Sequence, residues 1–438
     1  MEKIETITSA TPQKAPSYIY AVALSALYVT AFQLIASQEI RMLLSVVFIG
    51  VLFISDINTA FFSLMFITCG NEMLKIGSTS ISTIFVVLYA FKFIIEAIYK
   101  KKIKITTGML IPAIILLTVN AVQFILGNSN QLSTTVKCVF FFVFMLNLLQ
   151  KNKNARVYLY KSAFRVIACG INFFGVIAVF INGFPSISER FSFSQEVTIN
   201  LLAILCAFTI VNLVYSVMII GADHKVLDLT LILGCAFWGI LTQSRSFILA
   251  VVIGVLALFL FCPSIKNKGR ILLIATVSII VFSVTILKVP QLKEIFSSAL
   301  GRIENPSGDD ISNGRYSLWQ QYIQVMLNNS KYTWFGAGDF AKIGASFDDI
   351  VLEAHNLFIE VWVLYGFVGS LLISLMFYEF IKNNIFICRN RHRGVVCFVP
   401  LIVMIITLFY SHHFIGGARS IIFLLSFLPI TFTKEEMN

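Results

Sequence analysis

Apolar residues fall in long blocks along this chain, separated by short polar breaks. The blocks are Tyr18–Ala36, Met42–Ser55, Ala60–Cys69, Ile81–Ile98, Gly108–Leu126, Thr135–Leu149, Val157–Ile181, Ile199–Ile220, Leu227–Leu241, Phe247–Cys262, Ile271–Leu287, Asn356–Ile381, Val395–Tyr410 and Ser420–Phe432. A helix needs about 20 apolar residues to cross the hydrocarbon core. The pattern therefore predicts an all-α, polytopic transmembrane helical bundle of roughly 12 to 14 spans. The count turns on Ala60–Cys69 and the last two blocks, which are short. There is no fixed-period repeat and no low-complexity linker. Five regions follow: a polar tail at 1–17, helices over 18–289 with an outer loop near 182–198, a long loop at 290–355, further helices over 356–432, and a second tail at 433–438.

Composition agrees with this reading. Of 438 residues 58% are hydrophobic and 13% charged, with a mean hydropathy of +0.87; a soluble domain carries about 25% charged residues. The 42 phenylalanines point the same way. The polar stretch Met1–Ser17 is of mixed charge and the first apolar block is long, so no cleavable signal peptide is expected and that block stays as a helix. The eight cysteines form no CxxC pair and none lies in the long polar loop. They predict neither a disulfide framework nor a zinc site.

The net charge of +11 gains its meaning from where the cations sit. Lys100, Lys101, Lys102 and Lys104 share one short loop, and Lys151, Lys153 and Arg156 another. Lys266, Lys268 and Arg270 form a third group, Lys382, Arg389, Arg391 and Arg393 a fourth. If the blocks alternate as spans, all four groups fall on one side, which is then the cytoplasm, with both termini. No basic face with interleaved aromatics stands outside the apolar blocks, so no nucleic-acid partner is expected. The loop at about 290–355 then lies on the non-cytoplasmic side. It holds Trp319, Tyr322, Trp334, Phe335 and Phe347, and Tyr316–Leu327 has helical apolar spacing. Such a loop predicts one or two short helices over the membrane face.

Against that orientation, Arg190, Arg245 and Arg419 map to non-cytoplasmic ends of spans, and Arg302 and Arg315 lie in the long loop. Each could snorkel to lipid headgroups. Several together suit a basic pocket for a phosphorylated substrate, because the planar guanidinium donates two hydrogen bonds at once. His355 closes the loop and could accept a proton from a sugar hydroxyl. Glu353 competes as a base, and Glu360, about one turn into the following helix, is costly there unless paired. Gly336 and Gly338 permit a tight turn, whereas Gly366 and Gly369 let another helix approach. A P-loop, GxGxxG, HExxH and DxD are all missing from the sequence. Asp309-Asp310 and Asp348-Asp349 read as solvated loop acids.

In this setting His355-Asn356, nine residues, then Gly366-Phe367-Val368-Gly369 resembles the signature of the O-antigen ligase and O-antigen polymerase (Wzy) superfamily. Companion motifs follow that family's order. They are Glu189-Arg190-Phe191 with Asn200, Leu241-Thr242-Gln243-Ser244-Arg245, Asn313-Gly314-Arg315 with Trp319, and Trp334-Phe335-Gly336-Ala337-Gly338. The likeness covers about Ser186 to Gly369, and Arg419 extends it. It implies a multi-pass protein of the bacterial cytoplasmic (inner) membrane with its site facing the periplasm. The donor would be an undecaprenyl-diphosphate-linked glycan, used without metal, nucleotide or other cofactor. Arg190, Arg245 and Arg315 would bind the diphosphate, helped by Arg302 and Arg419. His355 would orient or deprotonate the acceptor, with Glu353, Asn356 and Glu360 in support. Expected partners are an acceptor glycan or lipid A-core, membrane lipids, a chain-length regulator and a flippase. The motifs leave polymerase and ligase open. The polymerase is favoured by the divergent first half and the phenylalanine content. A transporter would instead require ionisable residues in mid-span and discontinuous helices.

Overall fold

The computed structural model describes residues 17–76, 79–99, 107–125, 153–185, 190–193, 199–221, 223–262, 288, 315–344, 346–347, 350–351, 354, 356–384, 395–409 and 420–432. Twelve of the fourteen apolar blocks fall on helices there; 135–149 and 271–287 lie outside the described residues. The helices are α1 (Ser17–Leu34), α2 (Gln38–Ile54), α3 (Ile57–Cys69), α4 (Ile81–Tyr99), α5 (Thr107–Ile125), α6 (Lys153–Asn182), α7 (Ile199–Tyr215), α8 (Lys225–Leu241), α9 (Arg245–Phe261), α10 (Arg315–Asn328), α11 (Ser330–Phe335), α12 (Leu357–Asn384), α13 (Val399–Phe409) and α14 (Ser420–Leu424). Two antiparallel two-residue ladders, Lys75–Ile76 with Thr79–Ser80 and Ser346–Phe347 with Ile350–Val351, are minor features of an all-α protein. Among the described residues five helical stretches are long and apolar enough to cross a membrane: Ser17–Leu34, Thr107–Ile125, Ala155–Asn182, Ile199–Gly221 and Leu357–Glu379.

Burial explains the arrangement. Helices α3 and α7 are apolar on every side and buried on nearly every side, as central helices must be. The first packs against α1 and α6, the second against α8, α9 and α13. Outer helices keep an exposed apolar face, as in α2 and α9. Local signals set the ends. Ser37 caps α2 by accepting from the Ile40 amide (3.4 Å), and Asp56 caps α3 by accepting from the Asn58 and Thr59 amides (2.9 and 3.0 Å). The far end of α2 is closed from a distance. The buried Lys92 ammonium of α4 donates to the carbonyls of Leu52 (3.2 Å), Phe53 (2.6 Å) and Ser55. These are the carbonyls that a helix C-terminus leaves without intrahelical partners.

Helix α12 departs from the sequence expectation. Its apolar run reads as one span, yet Gly366 breaks it with φ 66° and ψ −174°. A second, smaller core forms before the break. Leu318, Tyr322 and Met326 of α10 pack there with Ala337, Ile343, Ala354 and Val363. The segment 357–365 bridges the two cores, with Ile359, Trp362 and Val363 on the loop core and Leu357, Val361, Leu364 and Tyr365 on the main one. From Phe367 to Asn384 remain 18 residues, about 27 Å of helix, still nearly enough to cross the core.

Candidate functional site

The tight turn between α8 and α9 organises the first group of candidate residues. Thr242 ends α8, with its amide bonded to Trp238 O (3.3 Å) and its hydroxyl donating to Gly239 O (2.6 Å). Gln243 then takes φ +50°, among the described residues the one non-glycine position with positive φ. Ser244 is extended at the N-cap of α9, which puts Arg245 at that helix's first position. The Ser244 hydroxyl does not cap the helix. It pairs with the Ser246 hydroxyl (2.8 Å) and lies 3.4 Å from Asn200 Oδ1, to which it donates.

Arg190 is built into the same turn. Its Nε donates to Thr242 O (3.0 Å), and one terminal nitrogen donates to Asn200 Oδ1 (3.1 Å). The neighbouring Phe191 amide donates to Leu241 O (3.0 Å), and its ring stacks on Trp238 at 4.9 Å. The guanidinium thus satisfies a carbonyl that the end of α8 leaves open. Arg245 differs. It is half-buried at a helix N-terminus, where the macrodipole already favours negative charge. No hydrogen bond or ion pair to its guanidinium is formed among the described residues. A helix start, its amides and an added cation together form a setting for an anion.

The second group lies in the loop core. Arg315 opens α10, and Trp319, one turn later on the same face, donates from its indole N–H to Ala354 O (2.6 Å). Asn356 is buried and caps α12, with Oδ1 accepting from the Phe358 and Ile359 amides (3.0 and 3.3 Å). Glu360 is 3% exposed, on the half of α12 before the break. It precedes the break, on the segment that bridges the two cores. Five candidates therefore stand in two sets: Arg190 with Arg245, and Arg315 with Asn356 and Glu360. His355, Glu353, Arg302 and Arg419 lie outside the described residues, as do Asp309, Asp310, Asp348 and Asp349.

Gly336 and Gly338 take the positive φ of a tight turn, whereas Gly366 admits a different neighbour from the helix its sequence reading suggested. Gly336 (φ +81°) and Gly366 meet backbone to backbone, and a Cβ on Gly336 would come within 2.6 Å of Leu364 O and 2.7 Å of Gly366 N. Val363 O, which a straight helix would bond to the amide four residues on, instead accepts from the Ala337 and Gly338 amides (2.7 and 3.2 Å). Trp362 adds a bond from its indole N–H to Thr333 O (3.0 Å). The element that Gly366 admits is therefore the 334–338 step of the loop. Gly369 does face another helix, at Leu116 of α5.

Sequence reasoning missed a buried charge pair. Arg165 of α6 forms a two-pronged bridge to Asp228 of α8 (2.6 and 2.8 Å), with side-chain exposures of 4% and 1%. Lys161, one turn earlier, reaches Asp223 at 2.8 Å. That hydrogen bond holds the Asp223 carboxyl below its ordinary value, against slight burial. The signal was available, since Lys92, Lys161 and Arg165 are cations inside apolar blocks. Both ends of the Arg165–Asp228 bridge are closed off from solvent. Among the described residues, no three His, Cys, Asp or Glu side chains group together as metal ligands would.

No curated protein and no solved structure matches this chain. A family model described as O-antigen ligase matches residues 229–374, which span α8, the Arg245 turn, the loop core and the broken helix α12. The match supports glycosyl transfer in O-antigen or polysaccharide biosynthesis, with a lipid-linked glycan and an acceptor as substrates. Over that stretch, about a third of its length, this membrane protein is similar to the O-antigen ligase family, which supports a place in the O-antigen polymerase and ligase superfamily.

Proposed function

We propose that the protein transfers glycan from an undecaprenyl-diphosphate carrier to an acceptor hydroxyl on the periplasmic face of the inner membrane, and that it joins repeat units of an O-antigen or capsule. The observation that carries this reading is the pairing at the α8–α9 turn. One arginine is locked by Thr242 O and Asn200, and the other is half-buried at a helix start. In the proposed step the acceptor oxygen attacks the anomeric carbon and the bond from that carbon to the diphosphate oxygen breaks. The bonding pair leaves on the diphosphate, and the hydroxyl proton passes to His355. Arg245 and Arg190, with Arg315, offset the charge growing on the leaving group. Removing one preorganised donor of this kind costs about 3–4 kcal/mol, a hundred- to thousand-fold in rate.

The description of the matched family favours a second reading, transfer of finished polymer onto lipid A-core. One deletion separates the two. Surface lipopolysaccharide carrying single repeat units identifies a lost polymerase. Bare core with accumulated lipid-linked polymer identifies a lost ligase, and absence of outward-facing lipid-linked units identifies lost transport. At the site, Arg245→Ala and His355→Ala are expected to abolish transfer while the protein still inserts. Ordinary activity in both variants would refute the assignment. In a polymerase, copurification of a chain-length regulator or flippase would add the expected partners.

A further inference from the structure

The exposed apolar surface of the span does not stop where the helix breaks. Below the kink, Phe367, Leu371, Leu375 and Tyr378 are all exposed at helical spacing, which makes one stripe on the half that crosses the lipid. Above it, Trp334 of the loop sets its ring edge-on against Phe367 at 5.5 Å and 88°, and is itself 52% exposed beside exposed Phe335. Helix α10 continues the pattern. Its buried face carries Leu318, Tyr322 and Met326, and its exposed side divides by angle. Tyr316, Ile323 and Leu327 line one edge, and Ser317, Gln324 and Asn328 the other. A helix with one wet edge, one apolar edge and aromatic neighbours is the pattern of an element lying in the membrane interface.

We propose that the loop core is seated in the lipid of the outer leaflet, with Trp334 and Phe335 inserted at the boundary of headgroups and acyl chains. The occupant of the patch is bilayer lipid, because Trp334 sits directly on Phe367, the first residue of the exposed apolar stripe of the Phe367–Asn384 half. The clasp between Gly336 and Gly366 then lies at the membrane surface, and the polar edge of α10 faces water. A loop drawn from sequence as standing above the membrane is on this reading partly sunk into it.

The test uses the full-length protein in proteoliposomes, as wild type and as Trp334→Phe, a substitution that keeps an aromatic ring at an exposed position. Tryptophan emission is measured with phospholipid brominated at shallow acyl positions and, separately, with aqueous iodide. The proposal expects Trp334→Phe to remove the largest share of the bromolipid-quenched emission and to leave the iodide-quenched share unchanged. It is overturned if the emission lost is the iodide-quenched part. It is equally overturned if that emission resists both quenchers, which would place protein, such as a second copy, over the patch.

Discussion

Alanine at Gly336 tests the clasp that joins the loop to α12. Gly336 has φ +81° and ψ 157°, a region open essentially to glycine alone, so a side chain there costs about 1–3 kcal/mol in backbone strain. The new methyl would also sit 2.6 Å from Leu364 O and 2.7 Å from Gly366 N. Both are backbone atoms and cannot rotate away, so the step must lift off the kink. Lifting lengthens the bonds from the Ala337 and Gly338 amides to Val363 O, each worth about 1 kcal/mol. The expected loss is about 3–5 kcal/mol. Gly344→Ala is the internal control, with φ +67° and nothing within 4 Å of an added Cβ; it should cost only about 1–2 kcal/mol. Purified variants would be unfolded by SDS in mixed micelles and followed by tryptophan emission, which Trp334 and Trp362 make sensitive to this region. Equal losses in the two variants would refute the reasoning, since strain alone would then account for both.

Two further outcomes follow from the charge pairs. Arg165→Ala and Asp228→Ala should each lower stability by about 3–5 kcal/mol, because each strands a buried charge, whereas Arg165→Met with Asp228→Leu should recover most of it; thermal unfolding in detergent reads both. Asp223, held below its ordinary carboxyl value by Lys161, contributes stability above the unfolded value of about 3.9, lost as pH falls through the lowered one. Its side chain is 64% exposed, so the contribution is small, and Asp223→Asn should flatten the acid limb of a stability–pH curve only slightly.

Hydrophobic blocks located the helices well, because lipid and core both select for apolar length. Tyr18–Ala36 became Ser17–Leu34, and the loop spacing at Tyr316–Leu327 became Arg315–Asn328. The grouping of Arg190 with the Arg245 turn was suggested by motif order. Its physical basis, Asn200 and the Thr242 carbonyl, needed coordinates, since the partners are 10 and 52 residues away. The break at Gly366 was invisible for a different reason. Hydropathy reads side chains, and what happens there is an exchange of backbone partners that leaves the apolar run intact. Arg165 and Asp228, 63 residues apart, cancel in any count of net charge, so their meaning emerged only once α6 and α8 were side by side.

The clasp also orders events during biogenesis. Residues 334–338 are synthesised before 357–384, so the loop step already exists when the last part of α12 leaves the ribosome. If the loop is absent, the alternative is local: Val363 O bonds to the Phe367 amide, and the segment closes into one straight helix of 28 residues. Gly366 makes that alternative less favourable by about 1 kcal/mol, and the loop's two amides complete the bias. The bend in α12 is thus conditional on the 334–338 step being seated against it, so the shape of this helix reports at a single residue whether the preceding segment has docked.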